Sequence, residues 1–157
     1  MDVGLPKPAP LIVGEMNGHS ADPRFALWPR PAGCAGARLV AHLGLSEREY
    51  LDRFSRANLL PGGRWSVAAA RKAALRLDRA IMPGIPIVLL GRRVAAAFGL
   101  DSPNIPAALH CDGPSGVRRT WVLLPHPSGR CRSWNGPGVR KAVRQVMAPW
   151  LGEREVR

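Results

Sequence analysis

Apolar and polar positions along the chain fall into short runs set between turn-forming residues. Four runs read as strands: Leu11-Ile12-Val13, Phe54 to Leu60, Ile87 to Leu90 and Trp121 to Leu124, each bounded by Gly or Pro. The first, third and fourth are apolar throughout, as strands covered on both faces should be. Helical patterns separate them. Ala35 to Leu43 and Ser46 to Arg53 follow the first strand, and Ser46 and Glu49 stand in capping-box spacing. Trp65 to Ala80 is rich in Ala and Arg, Arg92 to Phe98 follows the third strand, and Val139 to Trp150 comes last. In that final helix Val139, Val143, Val146, Met147 and Trp150 share one face, while Arg140, Lys141 and Arg144 lie on others.

Strands alternating with helices predict an α/β fold: a three-layer α/β/α arrangement around a central, mostly parallel four-stranded sheet. At 157 residues a single domain over 1–157 is expected. In such sheets ligands bind beyond the carboxyl ends of the strands. That rule nominates GEMNGHSADPRF after the first strand, Asn58 with LLPGGRW at the second, and PHPSGRCR at the fourth.

Composition and charge narrow the partner. The 23 Lys and Arg outweigh 11 Asp and Glu, a net charge of +12, and only Lys7, Lys72 and Lys141 are lysines. A GC-rich genome would favour Arg over Lys, but it does not explain the shortage of acids. Arginine binds phosphate through a planar fork and stacks on bases, so nucleic acid is the expected partner. No run approaches a membrane span and the start lacks a signal-peptide pattern, so a cytoplasmic, monomeric protein without a membrane partner is expected. Cys34, Cys111 and Cys131 lie far apart with no CxxC, which argues against a disulfide framework or a metal knuckle. No metal or cofactor is expected.

Each nominated segment offers chemistry. In PHPSGRCRSWN (125–135), His126 leaves a buried strand and can present a ring N–H to a developing negative charge. Ser128 and Gly129 allow backbone N–H groups close to an anion, and Arg130 and Arg132 add positive charge. The same residues would also serve as an ordinary turn with solvated arginines. In GEMNGHSAD (14–22), Glu15, Asn17 and Asp22 offer polar groups after a tight turn; Asp22 could equally cap a helix. Asn58 has both a donor and an acceptor for a pyrimidine edge, or could cap the turn before Pro61. Phe25 and Trp28 could stack on an extruded base or belong to the core. Lys72, Arg76 and Arg79 share a helix face that could track phosphates or simply face solvent.

Taken in order, these segments resemble the uracil-DNA glycosylase superfamily. GEMNG stands at 14–18, Phe25 and Trp28 precede Ala35-Gly36, Asn58 ends a strand, and His126-Pro127-Ser128 forms a late loop. The likeness spans residues 11–135 and extends to small glycosylase-like proteins of phages and actinobacteria, which share phrases such as FALWP (25–29) and LPHPSGRC (124–131). The resemblance implies that His126 stabilises the leaving base, that Asn58 reads its edge, and that Phe25 or Trp28 stacks on it. It also implies that Ser128 and Gly129 pinch the DNA backbone while Arg130 fills the vacated stack, a role that base extrusion requires. DNA, duplex or single-stranded, with a flipped base is then the partner.

Three departures stand out. Iron–sulfur members need four cysteines, so no cluster is expected here. The position often held by Asn or Asp is Met16, which leaves Glu15, Asn17 or Asp22 to orient water, with Glu15 favoured by the GExxG pattern. Gly18 stands where strict uracil-specific members carry a Tyr that blocks carbon 5 of the pyrimidine, so larger bases, including hydroxymethylated or glucosylated ones carried by phages, are permitted. The expected activity is that of a monofunctional glycosylase leaving an abasic site, in repair or antiviral defence. No lysine in the three loops could form a Schiff base for strand cleavage. The alternatives are a non-catalytic DNA-binding module of the same fold, favoured by Met16, and a hydrolase of free nucleosides, disfavoured by the charge.

Overall fold

A computed structural model of the chain describes residues 8–16, 20, 22–128 and 131–152. Five strands form one sheet: β1 (Leu11–Met16), β2 (Ser55–Leu60), β3 (Ile87–Leu90), β4 (Ala107–Asp112) and β5 (Arg118–Leu124). Their order across the sheet is β2-β1-β3-β5-β4. All neighbouring pairs are parallel except β4 with β5, which run antiparallel.

The alternation of side chains in the apolar strands explains the three layers. Val13, Leu89 and Leu123 point into one core, beneath α3 (Val67–Ala80) and α4 (Arg92–Ala97). Ile12, Val88, Leu90, Val122 and Leu124 point into the other, beneath α1 (Ala35–Leu43), α2 (Glu47–Arg53) and α5 (Val139–Leu151). A continuous apolar run is therefore two alternating faces, each buried against helices. The α2 capping box forms as its sequence predicts: Ser46 Oγ accepts from Glu49 N, and Glu49 Oε1 accepts from Ser46 N. In α5, Val143 and Met147 are buried, with Val139, Val146 and Trp150 packed beside them.

The sheet has five strands rather than the expected four. The additional strand, β4, reads AALHCD and alternates half-buried and exposed positions, because it is an edge strand with only one side packed. It lacks the apolar run that marks the central strands. Its pairing also lengthens β5 backward to Arg118, which lies opposite Asp112. A buried ion pair ties this hairpin to α3: Arg119 Nε lies 2.9 Å from Asp78 Oδ1, and neither side chain is exposed. Arg119 also donates to the carbonyls of Asp78, Ile81, Met82 and Ile85. The second Asp78 oxygen accepts from the N–H and hydroxyl of Ser115, so both charges are fully bonded.

Among the described residues no helix is long and apolar enough to cross a membrane.

Candidate active site

From β1 the chain moves outward to β2, then returns past β1 to β3 on its other side. The crossover connections diverge there, so a crevice opens beyond the carboxyl ends of β1 and β3. Glu15 and Met16 end β1, Asn58 lies near the end of β2, Gly91 follows β3, and His126 stands two residues beyond β5. Three strand spacings separate the backbones of Asn58 and His126, on the order of 14 Å, with their side chains at the same sheet edge.

His126 is held from several sides. Pro125 and Pro127 on either side of it are buried. The backbone N–H of Ser128 donates to His126 Nδ1 at 3.1 Å. The indole N–H of Trp134 donates to the His126 carbonyl at 3.0 Å. Behind it, Gly91 has φ +92, and a Cβ built there would lie 3.1 Å from His126 Cβ. Burial, the largest influence, pushes the imidazole pKa below its ordinary value; Arg93 pushes the same way and Glu15 opposes them. The ring is therefore neutral near pH 7, and because Nδ1 accepts a hydrogen bond, its single proton resides on Nε2.

Glu15 belongs to the same cluster. Its side chain is mostly buried, and Oε2 lies 3.7 Å from Nη1 of Arg93, in the first turn of α4. Arg93 in turn sits over the ring of Trp65, 5.7 Å from its centre.

Asn58 borders a cavity of about 280 Å³, which Met16, Phe25, Leu27, Trp28 and Gly36 also line. Asn58 pairs with Gly14 across the β1–β2 ladder, and a Cβ at position 14 would lie 2.7 Å from its Oδ1. The glycine is what admits the amide. Oδ1 is buried and accepts no hydrogen bond among the described residues. Such an acceptor, unpaired by protein groups, is open to a hydrogen bond from water or from a ligand in the cavity. A second cavity of about 220 Å³ shares Ser20 and Asn58 with the first and runs beside Arg56.

The cavity wall is pinned from three directions. Tyr50 donates its hydroxyl to the Leu27 carbonyl at 2.9 Å, and burial raises the pKa of that phenol. Cys34 Sγ caps α1 by accepting from Ala37 N, and its thiol donates to the Trp28 carbonyl at 3.3 Å. Gly36 packs so closely that a Cβ there would lie 2.2 Å from the Trp28 oxygen. Leu27 takes φ +51, a left-handed conformation uncommon for a residue with a side chain. Phe25 and Trp28 meet edge to face, with centres 5.2 Å apart, and both line the cavity. The Arg56 guanidinium lies 5.8 Å from the centre of the Trp28 ring.

The remaining candidates are more dispersed. Asp22 caps the short 3-10 turn Pro23–Phe25, and its carboxylate is bonded to Arg24, whose side-chain hydrogen bond lowers its pKa. It borders the second cavity. Arg132 opens a 3-10 turn, Arg132–Asn135, and is exposed. Asn17, Gly18, Gly129 and Arg130 lie outside the described residues. Lys72, Arg76 and Arg79 are exposed on α3.

Sequence patterns did not single out Arg56, Trp65, Arg93 or Trp134. A signal existed for Arg56: it lies two residues before Asn58, on the same face of β2. Arg93 follows the end of β3, which the carboxyl-end rule could have included.

No protein-family model and no curated protein matches the chain.

Proposed function

We propose that the protein is a monofunctional DNA glycosylase, hydrolysing the N-glycosidic bond of an extruded uracil-like or carbon-5-modified pyrimidine. The observation that carries this reading is the state of His126. A neutral imidazole, its Nδ1 occupied by Ser128 N, presents Nε2–H as a donor within electrostatic reach of the Glu15 carboxylate.

Cleavage of the bond between base and sugar develops opposite charges at its two ends. The sugar becomes oxocarbenium-like and the departing base anionic. Glu15 faces the first need: a carboxylate can stabilise the sugar cation and orient the water whose oxygen bonds to the anomeric carbon as the base leaves. His126 Nε2–H meets the second by donating to the anionic base, a neutral donor that costs no competing proton release. Asn58 offers its amide to the base edge, and Phe25 or Trp28 its aromatic surface. The cavity beyond Asn58 provides room for a substituent on the ring. The net charge of +12 supplies the grip on DNA.

Met16 favours a second reading, a DNA-binding module without catalysis, because it brings a thioether to the cavity where a polar group would help to place water. One experiment separates the two. Oligonucleotides carrying uracil, 5-hydroxymethylcytosine or its glucosylated form are incubated with the protein and then treated with alkali. Strand breaks at the modified position support the enzyme, and their loss in His126→Ala with DNA affinity retained supports the role of His126. DNA binding without abasic sites on any substrate would leave the binding module.

A further inference from the structure

We infer that Trp134 is a positioning residue for His126, holding the histidine loop through its carbonyl while its ring is clamped against His42. The inference rests on the glycosylase reading for its functional consequence, but not for its geometry.

Trp134 lies in the 3-10 turn Arg132–Asn135, eight residues beyond His126. It is only 6% exposed and packs in the core beneath α1 and α5. Burial alone would place a tryptophan there. Its polar end goes further: the indole N–H donates to the His126 carbonyl at 3.0 Å. The ring lies parallel to the imidazole of His42 on α1, with centres 4.0 Å apart and planes 2° from parallel. That stack fixes the plane of the indole, and the plane fixes the direction of its N–H.

The loop is then held on both sides of the histidine. Trp134 takes the His126 carbonyl, Ser128 N takes Nδ1, and the Ser128 carbonyl accepts from Cys131 N at 3.1 Å. Gly91 blocks retreat toward β3. Of these, only Trp134 links the loop to α1, whose first turn forms the cavity wall at Ala35 and Gly36. One helix thus carries the cavity wall at its start and the support of His126 near its end. The two ends of the reacting bond are referenced to a common element. A misplacement of about 1 Å at a catalytic donor can lower turnover a hundredfold, so a second anchor of this kind has a measurable consequence.

The test uses the full chain with Trp134→Phe, which keeps an aromatic ring against His42 and deletes the donor. The imidazole nitrogens of His126 are followed by long-range nitrogen–proton spectra, alongside turnover on whichever oligonucleotide the wild type cleaves. We expect kcat to fall at least about tenfold with KM within twofold, and the His126 signals to shift from a single Nε2–H tautomer toward averaging. His42→Phe, which retains the stack, should behave as wild type in both. Unchanged His126 signals and unchanged kcat in Trp134→Phe would overturn the inference. If the wild type cleaves no substrate, the glycosylase reading fails while the imidazole spectra still decide the positioning. Should Trp134→Phe not fold, hydrogen exchange of the wild-type Trp134 indole decides: slow exchange supports the bond, and free exchange overturns it.

Discussion

Ser128 donates its backbone N–H to Nδ1 of His126 at 3.1 Å, and this single bond determines which face of the imidazole can act. With Nδ1 occupied as an acceptor, the neutral ring carries its proton on Nε2. The same loop that brings the histidine to the crevice therefore also selects its tautomer. Protonating the ring would force Nδ1 to become a donor facing another donor.

Acidification should weaken the fold. The pKa values of His126 and His42 are both pushed below the ordinary histidine value, chiefly by burial; around His42, Arg140, Arg38 and Arg144 add to the shift. The unfolded chain then binds protons more readily than the native one, so this stability is complete above pH ~6.5 and is lost as pH falls through the folded-state values. Denaturant midpoints measured from pH 5 to pH 7 should rise, and His42→Phe should flatten part of the slope. A glycosylase activity should share an acid limb lying below pH ~6.5.

Gly91→Ala should damage both the fold and the site. Position 91 holds φ +92, which a side chain tolerates poorly, and the new methyl would press against His126 Cβ at 3.1 Å. A loss of about 1–3 kcal/mol is expected in chemical denaturation. On the glycosylase reading, turnover should fall further than stability accounts for, because the new methyl displaces His126.

Two glycines flanking Cys34 should respond differently to the same substitution. Gly36→Ala places a methyl 2.2 Å from the Trp28 carbonyl, a backbone atom that cannot simply rotate away. It should cost about 1–3 kcal/mol and reshape the cavity beside Asn58. Gly33→Ala meets no neighbour and pays only for its φ of +83, about 1 kcal/mol, with the cavity intact. Comparing the two by thermal melts and DNA binding separates cavity geometry from backbone strain.

Removing one partner of the Asp78–Arg119 pair should be among the most destabilising single changes. Asp78→Asn or Arg119→Met leaves an uncompensated or under-bonded group at a site with no exposure, a loss of about 3–5 kcal/mol. The double variant should recover part of that loss, and a double-mutant cycle by denaturation reads the coupling directly. Because the pair lies by β4, at the opposite side of the sheet from β2, the geometry around Glu15 and Asn58 should be spared in whatever fraction stays folded.

The layered α/β architecture was legible in the sequence because burial on both faces leaves a direct trace. Ile87–Leu90 and Trp121–Leu124 admit only apolar residues, and Ser46 with Glu49 marks a helix start through a bond between neighbours. Such signals are local, and a chain carries them wherever it folds. The positions of Glu15, Asn58 and His126 at the carboxyl ends of strands were legible too, since strand ends can be read from where apolar runs stop.

What escaped depends on contacts between distant segments. β4 is half-buried and pairs only with β5, so its short alternating pattern of small and polar residues resembles many loops. Trp134 and Arg93 look like core and surface residues until the fold sets one against the His126 carbonyl and the other beside Glu15. The choice of Nε2 as the protonated nitrogen and the downward shift of the imidazole required the loop to close on itself in a place from which water is largely excluded. Periodicity records which faces are buried; the direction of a hydrogen bond and the dielectric around a ring exist only once the chain has folded around them.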